Sequence, residues 1–576
     1  MLFYIIRTDS GEPSISPIVQ GDKLPSRAEM LTPGLPLAFA QSLIEILKSQ
    51  QVKKGKQEIL KFLLRKHSGL ASMDWRWRST QPEAKNPIVH TQEVEVDVEE
   101  FAFASRVQSR QLSEADFQRL ANEMGLNLKE VILLCHESVL QGQAEWIPAV
   151  QKEGQGWRCM RCGETEIKEW PSIYGLAGTC PSCAALGALS SLQTLYRSLG
   201  PHPDCKEGGM PFAKLPENQG LGDSVELQPV RFSPHWTLSL AQEQASQGVL
   251  EFVSTETGKN LLLWAACGAG KTEVCFPAAA WALERGQKVL FAAPRQDVVL
   301  DVAPRLERDF PELSVSVLTG VSTERFSPAP LVLATTHQVL RFYQAFDLIF
   351  MDEVDAFPYH GNAALAWGLQ QSLKPGGKIV YLTATPSPEN RAKVQNKGMQ
   401  LVRLPARHHR KALPVPEWIK YSTNQEVASQ WIKALAESGP VLIFVPKISW
   451  VNMYVEKLHD LFPGWAIEGS YSSDPGRREK IERLRKDEYR VFISTSILER
   501  GVTIPNAQVM VLAADHELFD ERALVQMAGR VGRTQENPEG RALFLAKHKT
   551  PAIEKAIHWI QEQNRLALEQ GLIDPF

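Results

Sequence analysis

Residues Ala265 to Thr272 read Ala-Ala-Cys-Gly-Ala-Gly-Lys-Thr and follow the apolar run Leu261-Leu262-Leu263-Trp264. Glycines at 268 and 270 let backbone N–H groups close around a chain of phosphates. Lys271 can neutralise the terminal phosphates, and Thr272 offers a hydroxyl to Mg²⁺. Gly268, Ala269, Gly270, Lys271 and Thr272 are therefore the candidate nucleotide-holding residues. The competing reading is a chance Gly-rich turn. A strand directly before the loop and Lys-Thr at its end weigh against it.

Further along, Asp352-Glu353-Val354-Asp355 follows the apolar run Leu348-Ile349-Phe350-Met351. The carboxyl ends of strands are where ligands bind in open α/β sheets. There Asp352 would share the Mg²⁺ with Thr272, and Glu353 would orient and deprotonate an attacking water. Gln526-Met527-Ala528-Gly529-Arg530-Val531-Gly532-Arg533 places two arginines three apart, just beyond a predicted helix around Ala523–Met527. They read either as a surface pair or as cations that reach a γ-phosphate from across a cleft.

A second constellation lies in the first half of the chain. Cys159-Met160-Arg161-Cys162 and Cys180-Pro181-Ser182-Cys183 are two Cys-x-x-Cys pairs. Four thiolates at this spacing suit a closed tetrahedral site, with zinc as the expected metal and rubredoxin-like iron as the competitor. A closed site has no open coordination position, which implies a structural role. Of the other cysteines, Cys135 and Cys205 have no such pairing, and Cys267 and Cys275 flank the phosphate loop. The pattern fits a metal in a reducing, cytoplasmic compartment better than a disulfide framework.

The elements that must position these groups follow a clear rhythm. Short apolar strands at Leu261–Trp264, Val289–Ala292, Leu331–Ala334, Leu348–Met351 and Ile379–Leu382 alternate with helical stretches, and the alternation resumes at Val441–Val445, Val491–Ser494 and Val509–Ala513. That is the signature of parallel sheets with crossover helices. Pro414-Val415-Pro416 separates the two sets. The reading is an α/β fold, with two parallel-sheet lobes preceded by the cysteine module and an α+β region. Its divisions are an accessory region over 1–150, the four-cysteine module over 151–200, a Pro/Gly-rich linker over 201–229, an ATP-binding lobe over 230–412 and a second lobe over 413–576. The lobes are expected to have cores of their own, independent of the cysteine module. Within the first region the spacing predicts helices over Leu35–Leu47, Ser113–Leu120 and Leu128–Leu140, and a half-buried strand over Glu93–Glu99.

Composition bounds the partners. The chain has 576 residues, 43% hydrophobic and 22% charged, which suggests roughly three to four soluble globular domains. Its 63 basic and 66 acidic residues leave a net charge of -3, so any nucleic acid must be held by local patches. The start, Met1-Leu2-Phe3-Tyr4-Ile5-Ile6-Arg7, lacks the features of a signal peptide, and no apolar stretch approaches the roughly 18 residues of a membrane span. Trp75-Arg76-Trp77-Arg78 and Lys53-Lys54-Gly55-Lys56 could stack on bases and meet phosphates, or equally form a strand with buried rings and exposed cations.

In chain order, the phosphate loop, Asp352-Glu353-Val354-Asp355, Thr383-Ala384-Thr385 and Gln526 through Arg533 resemble the motifs of superfamily II helicases over roughly residues 230–545. The family fold is a pair of RecA-like lobes. Ala265 stands where the general phosphate-loop pattern has Gly, a substitution this superfamily tolerates. The resemblance implies that Gln242 reads adenine and that Thr383 and Thr385 couple hydrolysis to lobe movement. It places DNA contacts at Arg295, Thr319, Gly320, Thr336, His337, Gln338, Thr495 and Gly501. Loops rich in hydroxyls, Gly and single cations can hold phosphate oxygens without reading bases. Arg407-His408-His409-Arg410-Lys411 is either a further backbone contact or a solvated basic turn.

A four-cysteine module before such a core, with Asp352-Glu353-Val354-Asp355-Ala356-Phe357-Pro358, resembles the late-competence ComFA family. That resemblance implies a DNA-stimulated ATPase using ATP, Mg²⁺ and Zn²⁺, which translocates on single-stranded DNA and helps import transforming DNA. It would be cytoplasmic, reaching the inner face of the membrane only through other DNA-uptake proteins. Two alternatives stand beside it. One is a replication-restart or repair helicase, whose zinc-binding cysteines interrupt the second lobe in the primosomal case and so differ from this chain. The other is an ATP-gated DNA clamp or scaffold that does not move.

Overall fold

The computed structural model describes residues 1–7, 13–17, 29–30, 35–49, 98–154, 156–199, 230–421, 428–495 and 504–574. Among them, seven strands form the first large sheet, in the spatial order Val315–Leu318, Leu331–Thr335, Val289–Ala293, Phe346–Met351, Leu373–Thr383, Asn260–Ala265 and Gln400–Leu404. Every neighbouring pair is parallel. Helices cover both faces, so the strands read as continuous apolar runs. Val289–Ala293 and Leu331–Thr335, for example, are buried at every position.

The second sheet runs Glu417–Lys420, Ala542–Ala546, Gln508–Leu512, Val441–Phe444, Val491–Ser494 and Ile467–Ser470, again with parallel neighbours. The architecture is two RecA-like lobes. Because the strands are parallel, their carboxyl ends share one edge in each lobe, and the loops that follow them crowd together there. The phosphate loop, Asp352-Glu353 and Thr383-Ala384-Thr385 all leave that edge of the first sheet.

Ahead of the lobes, helices Leu37–Ser49, Val98–Val107, Glu114–Met124 and Leu128–Leu140 accompany small antiparallel sheets. Glu114–Met124 starts at a capping box in which Ser113 and Asp116 bond reciprocally, and it stops at Gly125 with φ 72°. The strand expected over Glu93–Glu99 is not formed at its end. Val98 and Glu99 open a helix, and the remainder lies outside the described residues. The basic and aromatic stretches at Lys53–Lys56 and Trp75–Arg78, Cys205 and the 201–229 linker also lie outside them.

The cysteine module is not a separate bead. Its last strand, Thr194–Ser198, pairs with Gln111–Ser113 and Ala144–Pro148 of the preceding region. All four cysteines belong to one apolar cluster with Leu340, Ile349 and Leu365 of the first lobe, which corrects the expectation of independent cores. Gly163 shows how close the docking is. A Cβ there would fall 2.4 Å from the Trp367 ring, which Arg158 also covers at 5.3 Å. Arg110 forms a β-bridge with Phe342 and lies 4.7 Å from its ring centroid, adding a second seam. The accessory region, the cysteine module and the first lobe form one packed unit.

Candidate functional site

The phosphate loop leaves the buried strand Asn260–Ala265, and its glycines at 268 and 270 have φ of 76° and 75°. Both lie in the left-handed region that Gly enters without strain. Gly270 is doubly constrained, because a Cβ there would meet the Gln242 amide nitrogen at 2.5 Å. Gln242 is buried beneath the loop. Its Nε2 donates to Ala269 O at 2.9 Å, and its Oε1 accepts from Ser239 N at 3.0 Å. The side chain implied as an adenine reader thus also braces the loop against the start of helix Leu240–Ser254.

Lys271, Thr272, Asp352 and Glu353 converge. Lys271 Nζ lies 3.1 Å from Asp352 Oδ1 and 2.8 Å from Glu353 Oε1. Thr272 Oγ1 donates to Asp352 Oδ2 at 3.3 Å. Burial opposes the Lys271 charge, but the two carboxylates outweigh it and raise its pKa. Burial and the Glu353 charge raise the pKa of Asp352, against the pull of Lys271. Glu353 has φ 51°, uncommon for a residue with a side chain. Its N–H donates to Asp352 Oδ1 at 2.7 Å, which holds the turn that aims the second acid. Strain of this kind persists where surrounding contacts enforce it.

These groups face a cleft of about 400 Å³, lined from the other lobe by Gln526, Arg530 and Arg533. Helix Glu521–Ala528, capped by the Asp520 side chain, delivers both arginines through the turn at Gly529. Arg530 is 2% exposed, and Arg533 Nε donates to Gly529 O at 2.8 Å. Thr383 and Thr385 both donate to Asp355, and Thr385 Oγ1 accepts from Gln526 Nε2 at 3.1 Å. A polar chain therefore runs from the acidic turn to the arginine helix. The sequence motifs contain Asp355 and Gln526 without giving either a catalytic role. Trp236, which lines the same cleft and donates to Asp309 at 2.6 Å, was not picked out at all.

Four thiols gather at the other centre. Sulfur separations are 3.6 Å for Cys159–Cys183 and 3.5 Å for both Cys162–Cys180 and Cys162–Cys183, with all four within 4.8 Å of one another. A tetrahedron with metal–sulfur arms of about 2.3 Å has edges of about 3.8 Å, so the donor set fits zinc. Arg161 is buried beside it and donates to Cys183 Sγ at 3.3 Å and to Gly187 O at 2.6 Å. With a metal bound, a guanidinium there would offset the excess negative charge of four thiolates and orient one of them.

The candidate DNA contacts divide. Gly320 is exposed, and Arg295, His337 and Thr495 are half-buried. Thr319, Thr336 and Gln338 are buried, the last two in the short helix Thr336–Val339, and Gln338 Oε1 accepts from Arg341 Nε at 2.8 Å, so these three support the surface from beneath. Burial lowers the pKa of His337, favouring the neutral ring. Gly501 lies outside the described residues. Arg407 is not an exposed backbone contact. It is wholly buried at the seam between the lobes.

Two family models match the two lobes. Residues 235–388 match the family model described as type III restriction enzyme, res subunit, and residues 425–535 match the helicase conserved C-terminal domain. "Competence protein ComFA" of Bacillus subtilis (strain 168) is 37% identical over 436 residues, covering 73% of this chain and 88% of the relative. The protein of the same description from Streptococcus pneumoniae is 36% identical over 434 residues, covering 74% and 94%. The solved structure described as Mycobacterium smegmatis helicase Lhr bound to ssDNA and AMP-PNP overlays 57% of this chain and 48% of its own, at 18% identity and a TM-score of 0.46.

Proposed function

Because this chain belongs to the ComFA family of competence proteins, ATP-hydrolysing DNA helicases or translocases, we propose that it moves along single-stranded DNA and helps draw transforming DNA into the cell. The observation that carries this reading is the composite cleft. Lys271, Asp352 and Glu353 come from one lobe and Arg530 and Arg533 from the other, so a complete site exists only when the lobes meet. Hydrolysis is thereby tied to closure and product release to opening, which is what a stepping motor requires.

In this mechanism the loop N–H groups and Lys271 hold the phosphates, and a phosphate competes with the two acids for the Lys271 ammonium. Glu353 orients a water and takes its proton as the oxygen attacks the γ-phosphorus and the bond to the β-phosphate oxygen breaks. Arg530 and Arg533 stabilise the charge that spreads over the transferred group. Magnesium held by Thr272 and Asp352 would supply further neutralisation of phosphate charge. Zinc on Cys159, Cys162, Cys180 and Cys183 would stabilise the module beside the first lobe. The partners are single-stranded DNA and other DNA-uptake proteins at the membrane. Among the described residues no helix is long and apolar enough to cross a membrane.

Displacement of streptavidin from end-biotinylated single strands tests movement. ATP-dependent displacement from one end, abolished by Lys271→Ala, is expected. DNA-stimulated hydrolysis without displacement from either end would replace the translocase with an ATP-gated clamp.

A further inference from the structure

Arg407 stands three residues beyond the edge strand Gln400–Leu404, where the chain begins to cross between the lobes. Its guanidinium is 0% exposed. Nε donates to Cys267 O in the phosphate loop at 2.8 Å. Nη1 donates to Val531 O at 2.6 Å and to Gly532 O, and Nη2 donates to Gly529 O at 3.1 Å. The first acceptor belongs to the first lobe. The other three belong to the turn that carries Arg530 and Arg533.

The surroundings are built around this side chain. Gly529 O accepts from Arg533 Nε as well, and His409 Nε2 lies 3.0 Å from Gly532 O. A Cβ on Gly529 would meet Cys267 Cβ at 2.4 Å, and one on Gly268 would lie 3.3 Å from Arg533 Cγ and 3.4 Å from Arg407 Nε. Loop and turn therefore meet almost backbone to backbone, with Arg407 filling the seam. All four acceptors are carbonyls, which compensate a buried cation less well than a carboxylate does. Only a planar fork of five donors can serve acceptors on both sides at once, and a lysine cannot.

We propose that Arg407 is a positioning residue for ATP hydrolysis, an interlobe latch that ties the phosphate-loop carbonyl of Cys267 to the Gly529–Gly532 turn and so sets Arg530 and Arg533 against the γ-phosphate. The proposal rests on the reading of the cleft given above. Arg407 is covalently fixed to the edge strand beside the phosphate loop. Separation of the lobes breaks its three bonds to the turn and leaves the one to Cys267, so the latch is made only in the closed state.

The test uses the full chain with Arg407→Ala and Arg407→Lys, and with Arg530→Ala as a reference. Measurements are DNA-stimulated kcat and KM for ATP, binding of a fluorescent AMP-PNP analogue, trapping of ADP with aluminium fluoride, and thermal melting. We expect kcat to fall by about a hundredfold in Arg407→Ala and by less in Arg407→Lys, as a misplacement of order 1 Å at a reacting centre would cause. AMP-PNP binding should stay within a few-fold of parental, while the aluminium fluoride complex should no longer persist. A role in bulk stability alone would not split the two nucleotide states in this way. Should Arg407→Ala fail to fold, Arg407→Lys decides, since it keeps charge and most of the volume. Parental kcat in a folded Arg407 variant, or equal loss of both nucleotide complexes, would overturn the latch. Parental kcat in Arg530→Ala would instead overturn the reading of the arginines, and the latch with it.

Discussion

Asp116 of the accessory region and Arg341 of the first lobe form an ion pair in which each side chain is 3% exposed. Asp116 also accepts from the N–H and the hydroxyl of Ser113, and Arg341 also donates to Gln338. One buried pair thus joins a helix cap in the accessory region to the short helix Thr336–Val339, which carries the candidate DNA contact His337. Burial alone would raise the Asp116 pKa, but Arg341 and the Ser113 bonds lower it on balance.

Removing one partner should cost far more than removing both. Arg341→Met strands a buried carboxylate, and urea unfolding should register a loss of about 3–5 kcal/mol. The double variant Asp116→Asn with Arg341→Met should recover most of it. Since the Asp116 pKa is lower in the folded chain, its contribution is present above the unfolded carboxylate range near pH 4 and is lost as pH falls through the folded value. Asp116→Asn should therefore show a shallower loss of stability on acidification. Equal slopes for the parent and Asp116→Asn would contradict this.

Lys271→Ala and Glu353→Gln should both abolish DNA-stimulated ATP hydrolysis, by different routes. The lysine variant should bind nucleotide weakly. The glutamine variant should keep ATP and hold DNA in a closed complex. A parental turnover rate in Glu353→Gln would mean that another group activates the water.

For Arg530→Ala and Arg533→Ala the expected loss is about a thousandfold in kcat with ATP affinity within a few-fold, because such cations act on the transition state. A variant that only raises KM would reassign its arginine to ground-state binding.

Purified protein should carry one zinc per chain, released by Cys159→Ser or Cys180→Ser. Because the cysteines share a core with Leu340 and Leu365, release should lower the melting temperature of the first lobe and weaken DNA binding beyond the module itself. Metal analysis without zinc, or unchanged melting after its removal, would oppose that coupling.

Single-stranded DNA should bind with steep salt dependence and little sequence preference, since hydroxyls, backbone and scattered cations meet phosphate. Salt-insensitive binding that discriminates strongly among sequences of equal length would exclude such a track.

The nucleotide cleft was legible in the sequence because its groups sit at fixed offsets from buried parallel strands, and an apolar run ending in Gly-x-Gly-Lys-Thr leaves little freedom. Most central strands announced themselves likewise, but Ala542–Ala546, buried throughout, was not singled out as a strand. The edge strands Val315–Leu318, Gln400–Leu404, Glu417–Lys420 and Ile467–Ser470 did not, because an edge strand is only partly covered and loses the continuous apolar pattern. The docking of the cysteine module was also hidden. Gly163 looks like a turn glycine, and only the fold brings Trp367 onto it. Arg407 misled for a related reason: within Arg-His-His-Arg-Lys its charge suggests solvent, while burial is decided by the carbonyls of a turn more than a hundred residues later.

The Trp367 ring seated on Gly163 has a consequence for how work is delivered. The cysteine module is joined to the first lobe there, and the accessory region is joined to it through Asp116 and Arg341, so on the proposed reading half of the motor would be a stator and the second lobe the pawl. If partner proteins grip the accessory region, recoil would go into the anchored half and each closure would displace the strand, not the enzyme. A translocase held in this way would haul a rope past a fixed post, and its output would be length of DNA taken in.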